Sequence, residues 1–274
     1  MPDVPEPPAP EPADAQPSAR AASPYGDLDR PPLRPRSLSR ALLPDGWRVE
    51  VLPQTGSTNE VVAARARDGE PPGLVVVAEQ QTQGRGRLDR QWTSPPRAGL
   101  TLSVLLRPEL PPGRLPWVPL WGGVAVARAL REQTGVDAVL KWPNDVLVDG
   151  RKVCGLLAEM PVPGVVVLGI GLNVSTRADE LPHGGATSLL LEGATTTDRD
   201  TVLRALLRSL GDVLAEASPE GYRALCSTLG TQVRVELPGG RSVEGLAEAV
   251  DDEGRLVVGG TAHGAGDVVH LRPG

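Results

Sequence analysis

The chain reads as an α+β protein, a large domain of strands and helices followed by a small β-barrel at the C-terminus. Three observations carry this. Between residues 47 and 228, β-branched apolar runs of strand length alternate with segments of helical periodicity. In the middle, Lys141 to Glu159 reads as a strand, a Pro-Asn-Asp turn and a hairpin. After Gly230 the pattern changes to short strands separated by glycine turns. A length of 274 residues accommodates one large domain and one small one.

Residues 1–44 are rich in Pro, Ala and acidic side chains, with almost no large apolar residue before Leu28. Such a segment cannot bury enough surface to offset its ordering entropy, so a disordered tail is predicted. It also lacks the helical periodicity that a helix-turn-helix would need at this position. Trp47–Leu52 alternates as a first strand. Ser57 with Glu60 three residues on reads as a capping box that opens an amphipathic helix ending at Gly69. Ser57 is then either a cap alone or part of a helix N-terminus that offers free N–H groups to a polar ligand.

Residues 73–80 form a buried strand that runs into Gln81-Thr82-Gln83-Gly84-Arg85-Gly86-Arg87-Leu88-Asp89-Arg90-Gln91-Trp92. Glycines in such a loop allow close backbone approach to a ligand. The dinucleotide fingerprint is absent, because Gly84-Arg85-Gly86 has no third glycine, and so is the Gly-Lys-Ser/Thr of a P-loop. Three arginines among glutamines and a Trp fit an anion clamp, with a solvated basic loop as the alternative. Further strands are predicted at 99–106, 136–142 and 164–174. Gly169 and Gly171 in the last of these permit close approach of another group. Helices are predicted at 115–134, 198–217 and 219–228, with Trp117 and Trp121 in the core. Strands at 232–237, 242–250, 255–258 and 267–271 belong to a set of five short strands in about 45 residues, a small barrel.

The central hairpin holds the most specific chemistry. Asp149-Gly150 between apolar runs signals a two-residue type I′ turn. Pairing Val148 with Arg151 sets Leu147 opposite Lys152 and Asp145 opposite Cys154. Asp145, Leu147 and Lys152 then share one face, and the carboxylate lies diagonally near the ammonium. Of 28 basic residues 26 are Arg, and the two lysines, Lys141 and Lys152, both fall here. Arg replaces Lys readily on solvated surfaces but not where a compact point charge is needed. Asn is equally sparse, at Asn59, Asn144 and Asn173 only.

Composition excludes several classes. A net charge of −6 provides no basic footprint for nucleic acid. No apolar run is long enough to cross a bilayer, and no signal peptide is visible. Cys154 and Cys226 cannot form a disulfide framework, so a reduced, cytoplasmic setting is expected, and Cys154 reads as a small core residue. His183, His263 and His270 are scattered without metal-ligand spacing, and no protein-ligated metal is implied.

Taken in order, Gly56-Ser57-Thr58-Asn59, the Gln81–Arg87 loop with Trp92, Lys141-Trp142-Pro143-Asn144-Asp145, Arg151-Lys152-Val153-Cys154-Gly155 and Gly169-Ile170-Gly171-Leu172-Asn173 resemble biotin protein ligase over residues of about 45 to 272. The resemblance implies a catalytic domain at 45–228 related to class II aminoacyl-tRNA synthetases and an SH3-like domain at 229–274. It further implies the short form without a DNA-binding domain. In that family biotin and ATP give biotinoyl-5′-AMP and pyrophosphate, and a lysine of a biotin carboxyl carrier protein then accepts biotin. The implied biotin-binding residues are Ser57, Thr58, Asn59, Gln81, Arg85, Gly86, Arg87 and Lys152. Trp92, Asn144, Asn173 and Arg272 match nucleotide-binding positions. Arg85, Arg87 and Lys152 would neutralise the phosphates, with Mg²⁺ carried on ATP and not on the protein. Asp145 would orient or deprotonate the incoming amine, or serve only as a salt-bridge partner of Lys152. The loop departs from many relatives at Leu88-Asp89-Arg90. Lipoate- or octanoate-transferring relatives share the fold but call for a longer apolar channel and not this Gln-rich loop. A module that binds biotin or nucleotide without transferring is the non-enzymatic alternative. Neither a DNA nor a membrane partner is expected.

Overall fold

The architecture is set by two β-sheets, described here from a computed structural model that covers residues 29–87, 90–182, 185–237, 239–264 and 266–271. The large sheet contains β1 (Arg48–Leu52), β2 (Leu74–Ala78), β3 (Gly99–Leu106), β4 (Ala138–Lys141), β5 (Asp145–Val148), β6 (Arg151–Val162) and β7 (Val165–Asn173). Its strand order is β1-β2-β3-β7-β6-β5-β4, with β1 and β2 parallel and every other pair antiparallel. The sheet is therefore mixed, in keeping with the α+β class expected for the large domain and with the catalytic-domain fold that the resemblance implies.

Helices cover the sheet unequally. On one face, α3 (Trp117–Thr134) and α4 (Arg199–Glu216) pack over Val75, Val77, Leu100, Leu102, Val104, Leu168 and Ile170. On the other face a smaller apolar cluster joins Val62, Ala63 and Ala66 of α2 (Thr58–Arg67) to Leu74, Val76, Leu105, Val165 and Val167. Strand alternation explains the division: even-numbered residues of β3 join the large cluster, while Thr101 and Ser103 point towards the side of α2. Trp117 and Trp121 are buried as expected, and their rings stack with centroids 5.9 Å apart.

The N-terminal expectation needs correction. A disordered segment was predicted through residue 44, yet α1 (Pro35–Leu42) is an ordered helix with Leu38 and Leu42 fully buried. Leu33 N also donates to Glu79 Oε1 at 2.7 Å. The apolar residues are few, but Leu38 and Leu42 stand four apart on one helix face, which composition averaged over 44 residues conceals. Residues 1–28 lie outside the described residues.

Beyond α5 (Pro219–Leu225), the small sheet contains β8 (Gln232–Glu236), β9 (Ser242–Val250), β10 (Leu256–Val258), β11 (Thr261–His263) and β12 (Asp267–His270). It is antiparallel throughout, with order β11-β10-β9-β8-β12. Its inward residues Val233, Val235, Ala247, Val250, Leu256, Val258 and Val268 join the main apolar cluster. Buried indoles tie it down: Trp142 Nε1 donates to Gly254 O at 3.0 Å and Trp117 Nε1 to Asp252 O at 2.8 Å. Arg223 adds bonds from Nε and Nη2 to Val250 O.

Candidate active site

The start of α2 meets the sheet through buried polar side chains. Ser57, Thr58 and Asn59 are each less than 5% exposed. The predicted capping box does not form, because Ser57 makes no side-chain cap bond and Glu60 is exposed. Gln81 caps the helix instead, its Oε1 accepting from Thr58 N at 2.7 Å and from Thr58 Oγ1 at 3.0 Å. A cap brought by a loop 23 residues away leaves Ser57 to line the neighbouring cavity. Behind this group, Ser103 Oγ stands 2.7 Å from Thr58 Oγ1 and 2.6 Å from Asn59 Oδ1.

Glycines make the sheet flat enough to receive these groups. A Cβ on Gly169 would stand 2.3 Å from Asn59 Oδ1, and one on Gly171 would stand 2.4 Å from the Trp92 ring. Gly155 does the same for Lys152, whose Nζ would be 3.0 Å from an added Cβ. Close approach was expected at Gly169 and Gly171, and each accommodates a different side chain.

The hairpin keeps its predicted turn, with φ of 50° at Asp149 and 71° at Gly150. Val148 pairs with Arg151 and Leu147 with Lys152, as expected. Asp145, however, faces Gly155 and not Cys154. The register shifts between Val146 and Leu147, so that Val153 is the extra residue of a β-bulge. This lets Val153 and Cys154, adjacent in sequence, both join the large apolar cluster, whereas strict alternation would turn them to opposite faces. Burial pushes the Cys154 thiol well up, in keeping with an inert core residue. Lys152 Nζ nevertheless reaches Asp145 Oδ1 at 2.5 Å, an ion pair whose angles fall outside those of a hydrogen bond. The ammonium lies 5.9 Å from the centre of the Trp92 ring.

The arginine loop is folded back on itself. Gly86 N donates to Arg90 O and Trp92 N to Gly84 O, while Arg85 bridges to Gln91. Gly84 is required here, since a Cβ would stand 2.3 Å from Trp92 O. Arg85 lies 3.3 Å from Glu159 and 3.7 Å from Glu60. Arg87 donates from Nη2 to Gly266 O, and Arg90 pairs with Asp267, so β12 and the residue before it hold two of the three arginines. Burial makes the Arg87 guanidinium easier to deprotonate than usual, against the opposing pull of Asp267 and Asp145. A partly desolvated cation of this kind attracts an anion more strongly than one in water.

One cavity gathers nearly all of the predicted residues. Ser57, Thr58, Asn59, Gln81, Arg85, Gly86, Arg87, Trp92, Asn144, Asp145 and Lys152 all line it. Asn144 Nδ2 donates to Leu156 O at 2.9 Å. Asn173 does not line this cavity; it is buried at the end of β7, where its Nδ2 donates to Thr187 O. Thr187 N in turn donates to Lys152 O, so Asn173 reaches the site through the backbone of its lysine. Lys141 also lies outside the lining. Arg272, Leu88, Asp89 and His183 lie outside the described residues. Sequence reasoning missed Ser103, Glu159 and Asp267. Ser103 carried the signal of a hydroxyl in an otherwise apolar strand, whereas Asp267 required knowledge of how the small sheet docks. Among the described residues no group of three or more His, Cys, Asp or Glu could hold a metal, and no helix is long and apolar enough to cross a membrane.

Known proteins are similar to this chain in sequence and in fold. The sequence profile of the Biotin/lipoate A/B protein ligase family matches residues 51–174, and that of the Biotin protein ligase C terminal domain matches residues 228–270. Fold and site thus define the broad class, the biotin/lipoate protein ligases. The chain is 46% identical over 264 residues to the biotin–[acetyl-CoA-carboxylase] ligase of Mycobacterium tuberculosis, covering 90% of this chain and 98% of that one. Its fold is similar to biotin protein ligase from Aquifex aeolicus in complex with biotin and ATP (TM-score 0.68, 29% identity), covering 82% of this chain and 99% of that one. It is also similar to the Leishmania major biotin protein ligase in complex with biotinyl-5-AMP (TM-score 0.58, 27% identity), covering 82% and 98%. The chain belongs to the biotin protein ligase family.

Proposed function

We propose that this chain activates biotin with MgATP to biotinoyl-5′-AMP and transfers the biotinyl group to a lysine of a biotin carboxyl carrier protein, such as that of acetyl-CoA carboxylase. The observation that carries the reading is the single cavity in which hydroxyl and amide groups of α2 and Gln81 face Lys152, Arg85 and Arg87. The polar end suits the ring system of biotin, and the cationic end suits a triphosphate.

In the first step a carboxylate oxygen of biotin bonds to the α-phosphorus, the bond from that phosphorus to the β-phosphate bridge breaks, and pyrophosphate leaves. Two anions must approach, so fixed cations lower the barrier. Lys152 supplies a point charge at the reacting end, while Arg85 and Arg87 supply planar forks on the loop. Mg²⁺ arrives on the phosphates of ATP. Trp92 and Asn144 flank the nucleotide side, and Asn173 acts from behind by fixing the segment bonded to Lys152. Arg272, next to Leu271, is assigned to ATP by resemblance. The loop covers the intermediate and excludes water.

In the second step the acceptor amine attacks the carbonyl carbon of the mixed anhydride, an amide forms and AMP leaves. An ammonium must lose a proton first, and Asp145 lines the cavity beside Lys152 to take or orient it. The reaction needs no nucleic acid and no membrane, and cytoplasmic ATP and carrier protein suffice. The test is ATP-dependent incorporation of labelled biotin, in parallel with labelled lipoate, into the respective carrier domains. Biotin transfer with pyrophosphate release is expected; lipoate transfer alone would contradict the assignment, and binding without pyrophosphate release would leave only a sensing module.

A further inference from the structure

Glu159 in β6 touches both ends of the cavity. Its Oε2 accepts from Asn59 Nδ2 at 2.6 Å, and the same carboxylate lies 3.3 Å from Arg85 Nη2. A carboxylate only accepts, so it turns the NH₂ of Asn59 towards itself and leaves Oδ1 facing Ser103 at 2.6 Å. Leu157 O, 3.4 Å from the same nitrogen, favours the same orientation. On the other side, Arg85 has carboxylates at both flanks, Glu159 and the more exposed Glu60 at 3.7 Å. Neither acid is needed by the chemistry proposed above.

We infer that Glu159 is a positioning residue with two effects: it sets the amide orientation of Asn59, and it is the internal counter-anion that an incoming phosphate displaces from Arg85. Arg85 Nη2 is turned to Glu159, so carboxylate and phosphate compete for that edge of the guanidinium. With the cavity empty, the pair holds the arginine loop over α2 and β6. When a polyphosphate arrives, Arg85 exchanges partners and Glu159 keeps its bond to Asn59. The biotin end and the phosphate end of the cavity are thereby connected through one side chain.

This rests on the loop being a phosphate clamp, and the test separates the two ideas. KM values for ATP and for biotin are measured in biotin-dependent ATP–pyrophosphate exchange. Glu159→Gln is expected to lower the KM for ATP about two- to fivefold, the range set by an exposed ion pair. Its KM for biotin should stay unchanged, because the glutamine oxygen still accepts from Asn59. Glu159→Ala is expected to lower the KM for ATP likewise but to raise the KM for biotin about three- to tenfold, since the amide loses its acceptor. In an Arg85→Ala background, Glu159→Gln should leave the KM for ATP unmoved. If Arg85→Ala is too slow for exchange, ATP titration calorimetry on the single and double variants gives the same comparison. A merely structural Glu159 would raise both KM values together in either background; that result, or an unmoved KM for ATP in Glu159→Gln, overturns the inference. A wild-type chain without exchange activity would instead remove the proposed function, and the inference with it.

Discussion

At the scale of single residues, Lys152 carries the sharpest expectation. It is one of two lysines against 26 arginines, and its ammonium sits between Asp145 and the face of Trp92. Lys152→Arg keeps the charge but replaces a point cation by a planar fork, which cannot occupy the same place. Pyrophosphate release should fall on the order of 10²-fold, as for loss of one preorganised donor at a developing charge. The circular dichroism spectrum should be unchanged. Wild-type turnover in this variant would remove Lys152 from the chemistry. Gly171 offers a purely steric counterpart. An added Cβ would meet the Trp92 ring at 2.4 Å, and the ring is larger than a flexible chain end that could swing away. Gly171→Ala is expected to cost about 1–3 kcal/mol by overpacking and, by displacing the Trp92 ring, to raise the KM for ATP; a chemical-denaturation curve and a kinetic titration measure the two effects.

At the scale of elements, the arginine loop and the hairpin behave differently as objects of inference. The hairpin turn was legible because Asp-Gly demands positive φ at two consecutive positions, and the chain has those angles. The bulge was not legible, because it exists to bury Val153 and Cys154 side by side, a demand made by α3 and the core and not by the strand itself. Most residues picked out by their motifs line the one cavity, and their convergence followed from strand order. Asn173 shows the limit: the sequence placed it at the end of a strand, but its bond to Thr187 depends on where residues 185–192 fold back. The swap of caps at α2, Gln81 in place of Glu60, has the same cause, since the alternative partner comes from a distant loop. The loop itself is closed by Gly86–Arg90 and Gly84–Trp92 backbone bonds and tied to the small sheet through Arg87. Arg87→Gly removes that tie, and release of biotinoyl-AMP into solution is expected to accelerate about tenfold, the scale of one lost hydrogen bond to a charged group. Full retention of the intermediate, followed by rapid filtration with labelled biotin, would show that Arg87 does not close the lid.

At the scale of the whole molecule, the small sheet contributes to the lining of the candidate site. It supplies Gly266 and Asp267 to the arginine loop, and the indoles of Trp117 and Trp142 fasten it to the large domain. Trp142→Phe keeps the apolar body but leaves Gly254 O without its donor, at an expected cost of about 1–3 kcal/mol in urea unfolding. The same junction responds to pH. His270 Nε2 lies 3.1 Å from Thr228 Oγ1, which accepts from Trp142 N, so the hydroxyl has its proton to give to a neutral ring. Burial first, and Lys141 second, lower the His270 pKa below its ordinary value of 6.5. Between the lowered value and 6.5 the unfolded chain binds more protons, so stability rises with pH in that window. Urea midpoints should be level above about pH 6.5 and fall as pH drops through the window below it, and His270→Gln should flatten the curve. A slope of opposite sign would place the imidazolium, not the neutral ring, in the folded junction.

The most direct measurement combines the purified chain with biotin, MgATP and a biotin carboxyl carrier domain, following pyrophosphate and the mass of the carrier. The account expects stoichiometric pyrophosphate and a carrier heavier by one biotinyl group on a single lysine, with neither product when biotin or ATP is omitted. An unmodified carrier under conditions where a known biotin protein ligase modifies it would contradict the account.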